Sequence, residues 1–355
     1  MILLSALFWI SCAEYHGTEA TYQSARTWLE YTSSPSSPSS HPPSSPNAPS
    51  ESKACSDTDL ITDSIFRGDG TYEGLWRHPE ISHVSQYKQD MYIDRLLRRR
   101  KGGFFVEMGA FDGELYSNTL FLERARGWDG LLIEPNPVTF EQLTSKDRKC
   151  WALHGCLGAS PSLTFRLAGG MTAPLQLMSK HHSDRLDYAV PKMILAKDSK
   201  GLDFLRYRGS GEEVPVRCFN LKSVLGQLWN QSSRSNGTGG ENQSSVRHID
   251  YFSLDVEGGE MDVLENLPWG SVTIEVMTVE VQENRQEIHT FMLSKGYRLV
   301  STFDFDNLYI LERFLQEDKK REKTERKYNL EGLPKILNGP MTNLLWYPDQ
   351  KALED

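Results

Sequence analysis

Continuous apolar runs, separated by amphipathic stretches, mark the middle of the chain from residue 103 to residue 313. The five clearest runs are Phe104–Met108, Gly130–Glu134, Trp151–Leu157, Ile249–Leu254 and Val272–Val281. Because their apolar residues are consecutive rather than alternating with polar ones, each run is typical of a strand covered on both faces. Strands that alternate with helices form parallel sheets, so this core predicts a doubly wound α/β architecture.

Local signals mark the borders of two helices in this core. A helix from Thr119 to Arg126 is predicted to end at Gly127, since glycine readily takes the left-handed conformation that follows many helices. Asn136 is predicted to cap a second helix, which starts with Pro137. Each helix fits between two predicted strands, as a βαβ unit requires.

The end of the core breaks the alternation of strands and helices. Tyr297–Phe303 and Leu308–Leu311 are β-rich runs that flank residues Asp304–Asn307, and this arrangement predicts a hairpin. A parallel sheet finished by one reversed strand is typical of class I methyltransferases, whereas nicotinamide-binding Rossmann domains lack it. We therefore expect a Rossmann-like class I methyltransferase fold, with a mostly parallel seven-stranded sheet and a C-terminal antiparallel hairpin.

The composition changes outside the core. Residues 1–13 contain the apolar run Ile2–Ile10, which is too short to span a bilayer, followed by small residues spaced as at a signal-peptidase site. This segment is expected to be a signal peptide or a truncated anchor; the alternative is a chance apolar N-terminus. Residues 14–52 become rich in Ser and Pro and predict a disordered stem. Residues 53–316 then form the methyltransferase-like domain, and 317–355 form a charged tail.

Two segments of the domain, 168–216 and 226–247, are expected to be insertions, the first acting as an acceptor-binding lid. The second carries N-glycosylation sequons at Asn230, Asn236 and Asn242, in a stretch rich in Ser, Asn and Gly that predicts a surface loop. With the apolar N-terminus and the stem, these sequons favour the secretory pathway. The alternative is that an Asn/Ser-rich loop produces sequons by composition alone.

Charge and cysteine content narrow the range of partners. The net charge is 39 − 48 = −9, which argues against nucleic acid as a partner. In an oxidising compartment, Cys55, Cys150, Cys156 and Cys218 allow three pairings, and the sequence does not choose among them. No Cys/His spacing indicates zinc. A truncated anchor at residues 1–13 would allow the protein to associate with a membrane.

Candidate chemistry begins where the first strand ends. The run from Glu107 to Gly113 places an acidic residue before two glycines at a predicted turn. Glycines let the backbone bend and a ligand approach closely, and Gly113 is predicted to precede the next helix, whose N-terminal amides are partly positive. A carboxylate at Glu107 repels phosphate. It suits a cationic ligand such as S-adenosylmethionine, which carries an ammonium and a sulfonium group.

Acidic residues also follow two other strands. Glu134 ends the second strand, where a carboxylate can accept hydrogen bonds from both ribose hydroxyls. Asp255 and Glu257 follow the fourth strand. Ligands of doubly wound sheets bind outside the carboxyl ends of the strands, so these groups are expected to face one crevice together with Glu107. The pattern favours a nucleoside ligand without an added ribose phosphate.

Four motifs occur in order along the core: Phe105–Ala110, Ser117–Leu120, Leu132–Asn136 and Asp255–Glu260. With the turn Trp128–Leu132, they resemble the FkbM-type methyltransferase family, and their details are most similar to its animal Star-like branch. The resemblance covers about residues 100–313. It implies a Rossmann-like domain that binds S-adenosylmethionine and methylates a hydroxyl acceptor.

The resemblance also implies the roles of individual residues. The residues it assigns to the cofactor are Glu107, Gly109, Ala110, Asp112, Gly113, Asn118, Glu134 and Asn136. The first part of this set would hold the methionine end, and Glu134 would hold the ribose. Asp255, Glu257 and Glu260 match the acidic element on the acceptor side.

Asp255 or Glu257 is the candidate general base that takes the acceptor proton. Alternatively, the two carboxylates could hold a divalent cation that acidifies the hydroxyl, although no metal is assigned. A structural alternative is that Glu257 and Glu260 cap the following helix, because acidic residues favour helix N-termini.

The leading hypothesis is an S-adenosylmethionine-dependent O-methyltransferase of the secretory pathway. The second is a catalytically weak or inactive Star-like escort, which acts in vesicle-mediated transport of membrane cargo from the endoplasmic reticulum to the Golgi. The expected compartments are the lumen or membrane of those organelles, with the plasma membrane and endosomes as alternatives.

Overall fold

The computed structural model describes residues 57–78, 80–195, 211–235, 247–281, 284–331 and 333–334. The predicted signal peptide or truncated anchor (1–13) and the predicted stem (14–52) lie outside these residues, as do Cys55, Asn236 and Asn242. Within the described part of the chain, every helix falls short of the length and apolarity that crossing a bilayer requires.

The described chain alternates strands and helices. The strands are β1 (Ile65–Arg67), β2 (Phe104–Met108), β3 (Asp129–Glu134), β4 (Trp151–His154), β5 (Cys156–Leu157), β6 (Ser162–Arg166), β7 (Ala173–Pro174), β8 (Glu213–Phe219), β9 (Arg247–Leu254), β10 (Val272–Glu280), β11 (Tyr297–Phe303) and β12 (Asp306–Leu311). The α-helices are α1 (Asp57–Ser64), α2 (Gln89–Leu96), α3 (Leu120–Arg126), α4 (Pro137–Thr144), α5 (Lys180–Leu195), α6 (Leu221–Ser235), α7 (Glu260–Asn266), α8 (Arg285–Ser294) and α9 (Glu312–Lys319).

Eight strands form a mixed sheet in the order β1-β4-β3-β2-β9-β10-β12-β11. The neighbours from β4 to β10 are parallel, whereas β12 runs antiparallel to both β10 and β11. The predicted C-terminal hairpin is thus confirmed, with its turn at Asp304-Phe305. The predicted number of seven strands was wrong, because Ile65–Arg67 adds an antiparallel edge strand beside β4. Three residues are too few to produce a periodic signal in the sequence.

Trp151–Leu157 does not form one strand, as predicted, but two. The chain turns at Gly155, so that β4 stays in the main sheet and β5 joins a four-stranded sheet of order β5-β8-β6-β7. Cys156 in β5 pairs in register with Cys218 in β8, and the two form a disulfide. The structure therefore selects one cysteine pair that the sequence leaves open, and Cys150 is a buried free thiol.

Helices cover both faces of the main sheet. One layer packs on the face of Phe105 and Tyr251 and contains α2, α3, α4 and α9. The other packs on the face of Val106 and Phe252 and contains α1, α6, α7 and α8. Both helix borders predicted from local signals are confirmed, because Gly127 is left-handed after α3 and the Asn136 side chain accepts from Val138 N.

Two predicted boundaries differ from the structure. Helix α6 continues to Ser235, so exposed Asn230 lies on a helix rather than in the predicted surface loop. Helix α9 runs across the predicted domain end at 316, and Tyr328 is buried against the first helical layer. The folded domain therefore extends into the charged segment.

Strand alternation sets the direction of the acidic side chains. Phe105, Leu132, Tyr251 and Val276 all face the layer of α2, α3, α4 and α9. Side chains two or four positions further along a strand point to the same side. The acidic residues at such positions are Glu107, Glu134, Asp255 and Glu280. The carboxylates expected to share one crevice therefore start from one face of the sheet.

Candidate active site

A cavity opens at the carboxyl ends of β2, β3 and β9, where the main sheet meets the small sheet and α7. It encloses about 680 Å³ when the space it shares with solvent is counted. Main-sheet residues such as Met108 and Ile133 form one wall, and Leu163 and Phe165 of the small sheet form another.

The charged side chains that line the cavity are all acidic. Among the described residues, four carboxylates line the cavity and no Lys, Arg or His does so. The carboxylates are those of Glu134, Asp255, Glu257 and Asp262. A phosphate site usually carries cationic side chains. The N-terminal turn of α7 does reach this lining, but it presents the acidic side chain of Asp262 there. The lining therefore disfavours a dinucleotide and suits a ligand that carries positive charge.

Glu134 lies at the end of β3 and lines the cavity, as predicted for a ribose-binding residue. Its Oε2 accepts from Phe111 N at 2.8 Å, and its Oε1 accepts from Asn136 N and Thr139 Oγ1, each at 2.9 Å. Burial raises the pKa of Glu134 to about 7, although these hydrogen bonds oppose the rise. A carboxylate offers about four acceptor positions, so one position on Oε2 remains for a ligand hydroxyl.

Glu107 occupies a different place from the one predicted. Its buried carboxylate does not belong to the cavity lining among the described residues. It accepts from Asn118 N at 2.7 Å and from the hydroxyls of Ser117 and Thr119. Burial raises the pKa of Glu107, and nearby Arg148 opposes this. Glu107 therefore holds the segment before α3 behind the cavity.

Gly109 lines the cavity and needs its missing side chain for a structural reason. Its φ is +76°, and a Cβ atom there would come within 1.8 Å of Asp255 O. The close approach of the β2 and β9 ends therefore requires glycine at this position. Ala110 is buried in the core beside it.

The remainder of this turn is held by the protein itself. Asp112 Oδ1 accepts from the N–H groups of Glu114 and Leu115 at 2.9 and 2.7 Å. Gly113 has a φ of +75°, and its carbonyl accepts from buried Arg148 at 2.8 Å. Gly113 precedes the next helix, as expected, but α3 begins only at Leu120, so the N-terminal amides of that helix do not directly follow the turn. Buried hydrogen bonds of Asp112 and Glu107 hold the intervening residues in a loop.

The two predicted asparagines connect segments around the site. Asn118 Nδ2 donates to Ser253 Oγ at 2.8 Å and so ties the loop before α3 to β9. Asn136 caps α4 and also donates through Nδ2 to Thr172 Oγ1 at 3.0 Å. Thr172 lines the cavity, so Asn136 supports the lining from behind. Their proposed role in cofactor binding stays a prediction.

Three acidic residues at or just beyond the carboxyl ends of β9 and β10 lie close together. Carboxylate oxygens of Asp255, Glu257 and Glu280 all lie within 4.8 Å of one another, and Asp255 and Glu280 are hydrogen-bonded. Such a bond requires a proton. Burial, followed by the charges of Asp255 and Glu257, raises the pKa of Glu280 well above its usual value. The two carboxyl groups therefore share a proton, and Asp255 is the member of the pair at the cavity wall.

Glu260, a fourth acidic residue in this region, has a structural role. Its carboxylate accepts from Val256 N at 3.0 Å and from Gly258 N, immediately before α7. Burial raises the pKa of Glu260 to about 7. Glu260 therefore holds the backbone of the loop that leads into α7, whereas Glu257 lines the cavity.

His182 is a neighbour of the site that sequence reasoning missed. It lies on α5, is 2% exposed, and its Nδ1 is 3.5 Å from Glu257 Oε2. His182, Glu257 and Glu280 also line a second, smaller cavity. The adjacent residues His181 and His182, in a predicted insertion, could have indicated a histidine near the site. Because both residues lie on helix α5, their rings point in different directions, and only His182 reaches Glu257.

A second cluster with metal-ligating side chains lies at the amino ends of β9 and β10. His248, Asp250 and Glu275 come together there, but Arg100 binds Asp250 at 2.8 Å and Glu275 at 2.7 Å. The hydrogen bonds from His248 and Arg100 outweigh burial and lower the pKa of Glu275 to about 2. The cluster is an ion-pair network that holds the two strands.

Solved structures with a similar fold are distant from this chain. TrmK of M. capricolum, solved with S-adenosyl-homocysteine, shares 9% identity at a TM-score of 0.30, with 64% of this chain and 68% of that chain covered. A precorrin-6y C5,15-methyltransferase from Geobacter metallireducens shares 10% identity at a TM-score of 0.29, with 66% and 91% covered. Similarity this low supports no argument about this chain, and no curated protein matches it in sequence.

The comparison with protein families is specific. The model of the methyltransferase FkbM domain matches residues 107–299, which is more than half of the 355 residues. The match begins at Glu107 and includes β3, β9 and the cavity carboxylates at their ends. The chain therefore has an α/β methyltransferase fold and belongs to the FkbM methyltransferase domain family.

Proposed function

We propose that this protein is an S-adenosylmethionine-dependent methyltransferase that acts on a hydroxyl acceptor, with Asp255 as the general base. The observation that carries the proposal is the composition of the cavity wall: Glu134 and Asp255 stand with two further carboxylates at the carboxyl ends of the strands, without a basic side chain among the described lining residues. A cationic nucleoside fits such a wall better than a phosphorylated one.

The residues present fit S-adenosylmethionine. Glu134 retains one acceptor position for a ribose hydroxyl, and Ile133, Leu157 and Val263 supply an apolar wall for a base. When bound, this cofactor supplies a methyl group on a sulfonium. Gly109, whose backbone lines the cavity without a side chain, leaves room beside Asp255.

Asp255 is the better candidate for the base. It lines the cavity, and its hydrogen-bond partner Glu280 does not line it, so that Glu280 would keep the shared proton and leave Asp255 free to act as a base. Burial raises the pKa of Asp255, which makes a carboxylate a stronger base near neutral pH. The acceptor proton would move to Asp255 as the acceptor oxygen attacks. Glu257, in contact with His182, would orient the acceptor.

Calorimetric titration of the purified protein with S-adenosylhomocysteine tests cofactor binding. We expect saturable binding that weakens about tenfold or more in Glu134→Gln, which loses a charged acceptor. Glu287→Gln, at an exposed position on α8, is the control and should bind as the wild type does. Absence of binding by the folded wild type would contradict the proposal.

Transfer of labelled methyl groups from S-adenosylmethionine to fractionated cell extracts tests the reaction. Asp255→Asn should keep cofactor affinity and lose about 10²–10⁴-fold in transfer rate, as expected when a general base is removed. Base-stable labelling would indicate an ether product, and base-labile labelling an ester. An Asp255→Asn variant that transfers methyl groups at the wild-type rate would exclude Asp255 as the base.

A second candidate function is that of a Star-like escort for membrane cargo. The observation in its favour is that the carboxylates of Glu107 and Glu134 are bonded mainly by groups of the protein itself. An escort without ligand should bind cargo equally well after Glu134→Gln. Loss of partner binding in that variant would instead indicate that the cofactor site takes part.

We further propose that the protein acts in the secretory pathway. The disulfide between Cys156 and Cys218 supports this, since stable disulfides are rare in reducing compartments. The exposed sequon at Asn230 supports it as well. Expression in a mammalian cell should yield a glycosidase-sensitive product, and Asn230→Gln should reduce its mass by one glycan if that sequon is used.

A further inference from the structure

Positive charge is concentrated in two segments of this protein. Residues 95–101 contain five Lys or Arg and no acidic residue, and residues 319–327 contain six Lys or Arg and two Glu. Their summed charge is 5 + 6 − 2 = +9, in a chain whose net charge is −9. The remaining residues therefore carry −9 − 9 = −18, so the two segments differ in sign from the rest of the molecule.

The two segments adjoin in the fold. Asn329 N, just beyond the second segment, donates to Leu96 O of the first at 2.7 Å, and Arg98 Nε donates to Tyr328 O at 3.2 Å. The two segments together therefore form one surface, the basic surface. Its first segment leads into the amino end of β2, whereas the cavity opens at the carboxyl end of that strand. A ligand on the basic surface would leave the cavity open.

Most cations of the basic surface have no acidic partner. Arg100 is the exception, because it binds Asp250 and Glu275. Among the described residues, no acidic side chain pairs with the other ten, which are all exposed. These ten are Arg95, Arg98, Arg99, Lys101, Lys319, Lys320, Arg321, Lys323, Arg326 and Lys327. Neighbouring cations repel one another, so the surface is electrostatically complementary to a partner with several negative charges.

Two of these arginines occupy backbone positions that suit glycine. The φ angle is +51° at Arg98 and +55° at Arg99, in the left-handed region that residues with a Cβ atom seldom adopt. The Arg99 side chain bonds to none of the described residues, so a contact within the protein does not explain its presence. A residue kept in an unfavourable conformation indicates a function for its side chain, here the exposed positive charge.

The setting of the basic surface narrows the choice of polyanion. Short runs rich in Lys and Arg are typical of sites for nucleic acids or heparin-like glycans. The Cys156–Cys218 disulfide favours an oxidising compartment, and anionic lipids, like nucleic acids, lie mainly on the cytosolic side of the membrane. Membrane-binding surfaces also combine basic residues with several apolar ones. Within the described part of the chain, Leu330 is the only large apolar side chain exposed in or directly beside the basic surface.

We propose that the basic surface binds a sulfated polysaccharide. Its sulfate groups would accept charge-assisted hydrogen bonds from the lysines and arginines, with the planar guanidinium groups of the arginines contacting two oxygens at once. The inference rests on the proposed secretory location. It does not rest on methyl transfer, because the basic surface and the cavity lie at opposite ends of β2.

Surface plasmon resonance of the full-length protein on an immobilised heparin oligosaccharide, at about 0.15 M NaCl, tests the proposal. We expect saturable binding that weakens steeply as the salt concentration rises, because binding to a polyanion releases its counterions. Lys319→Gln/Lys320→Gln/Arg321→Gln should weaken binding about a hundredfold, since each cation near an anionic surface contributes roughly a factor of five. Desulfated heparin of the same length should bind about tenfold more weakly or less still.

The matched control removes the same number of charges from exposed positions elsewhere. Lys88→Gln/Lys149→Gln/Lys222→Gln should bind heparin within about twofold of the wild type, because salt screens distant charges.

Arg99→Gly separates binding from folding. It should bind heparin about fivefold more weakly than the wild type. It should nevertheless unfold at the same temperature or a higher one, since glycine suits a φ of +55°.

Two results would overturn the proposal: no binding of heparin by the wild type, or equal affinities of the wild type and Lys319→Gln/Lys320→Gln/Arg321→Gln. Tighter binding to duplex DNA or to phosphatidylserine vesicles than to heparin would overturn the choice of a sulfated polysaccharide. Titration of the same preparation with S-adenosylhomocysteine keeps the proposed methyl transfer separate. Cofactor binding without heparin binding would overturn this inference alone, and heparin binding without cofactor binding would overturn the proposed methyltransferase alone.

Discussion

Arg148 and Glu107 bind the same two hydroxyl groups. Arg148 donates to Ser117 Oγ at 3.1 Å and to Thr119 Oγ1 at 3.0 Å, and both hydroxyls in turn donate to Glu107. Arg148 also pairs with Glu123 at 2.8 Å, and both of these side chains are almost fully buried. The conformation of the loop before α3 therefore depends on one buried cation.

Arg148→Met should destabilise the fold by about 3–5 kcal/mol, because it leaves buried carboxylates without their cation. Urea unfolding of the wild type and the variant measures the difference. Arg166→Met is the control, since the Arg166–Asp187 pair is much more exposed and should change the free energy of unfolding by about 1 kcal/mol or less. Equal losses for the two variants would contradict a special role for Arg148.

Stability should fall as the pH rises from about 4 to 7. Burial, with the charge of Asp255, raises the pKa of Asp306 to about 7 from an ordinary value of 3.8. In this window the native state keeps a proton that the unfolded state releases. Proton binding by the native state alone stabilises it, and that stabilisation is lost as the pH passes through the native pKa.

Asp306→Asn should therefore weaken this pH dependence and raise stability at pH 8 by a few kcal/mol relative to the wild type. Asparagine retains an oxygen that can accept from Gln89 Nε2, which lies 2.6 Å from Asp306 Oδ2. Denaturant unfolding at a series of pH values measures the effect. Exposed Glu141→Gln should follow the wild-type curve; an Asp306→Asn curve parallel to it would refute the prediction.

Gly109→Ala should cost more stability than Gly127→Ala. Both glycines have positive φ, at +76° and +69°, but only a Cβ at residue 109 would meet backbone, namely Asp255 O at 1.8 Å. The positive φ alone costs about 1–2 kcal/mol, so the excess in Gly109→Ala reports the contact between the β2 and β9 ends. Equal thermal shifts for the two variants would show that this contact can relax.

Loss of the Cys156–Cys218 disulfide should destabilise the protein by about 4 kcal/mol, given the chain-entropy relation for a loop of this length and the separation of 62 residues. Reduction of the wild type should have the same effect as the double variant Cys156→Ala/Cys218→Ala. Reductant should leave the double variant unchanged, and sensitivity of that variant would indicate another cause.

Much of the fold follows from local patterns. The apolar runs predict β2, β3, β9 and β10, and Asn136-Pro137 predicts the start of α4. Apolar runs and capping residues determine strands and helix borders through neighbours a few positions away in the chain, so these features can be predicted from the sequence. The short strands β1 and β5 were missed or merged because two or three residues acquire strand structure only from the partner beside them.

The sequence by itself determined that acidic residues follow the strands β3 and β9, and hence that Glu134 and Asp255 would reach one edge of a sheet. Only the tertiary structure decided what each carboxylate does there. Glu107 is bonded to the protein behind the cavity, while Asp255 shares a proton with Glu280, a residue 280 − 255 = 25 positions away. Partners, burial and pKa depend on which distant segment packs against a residue, and no local pattern in the chain encodes that contact.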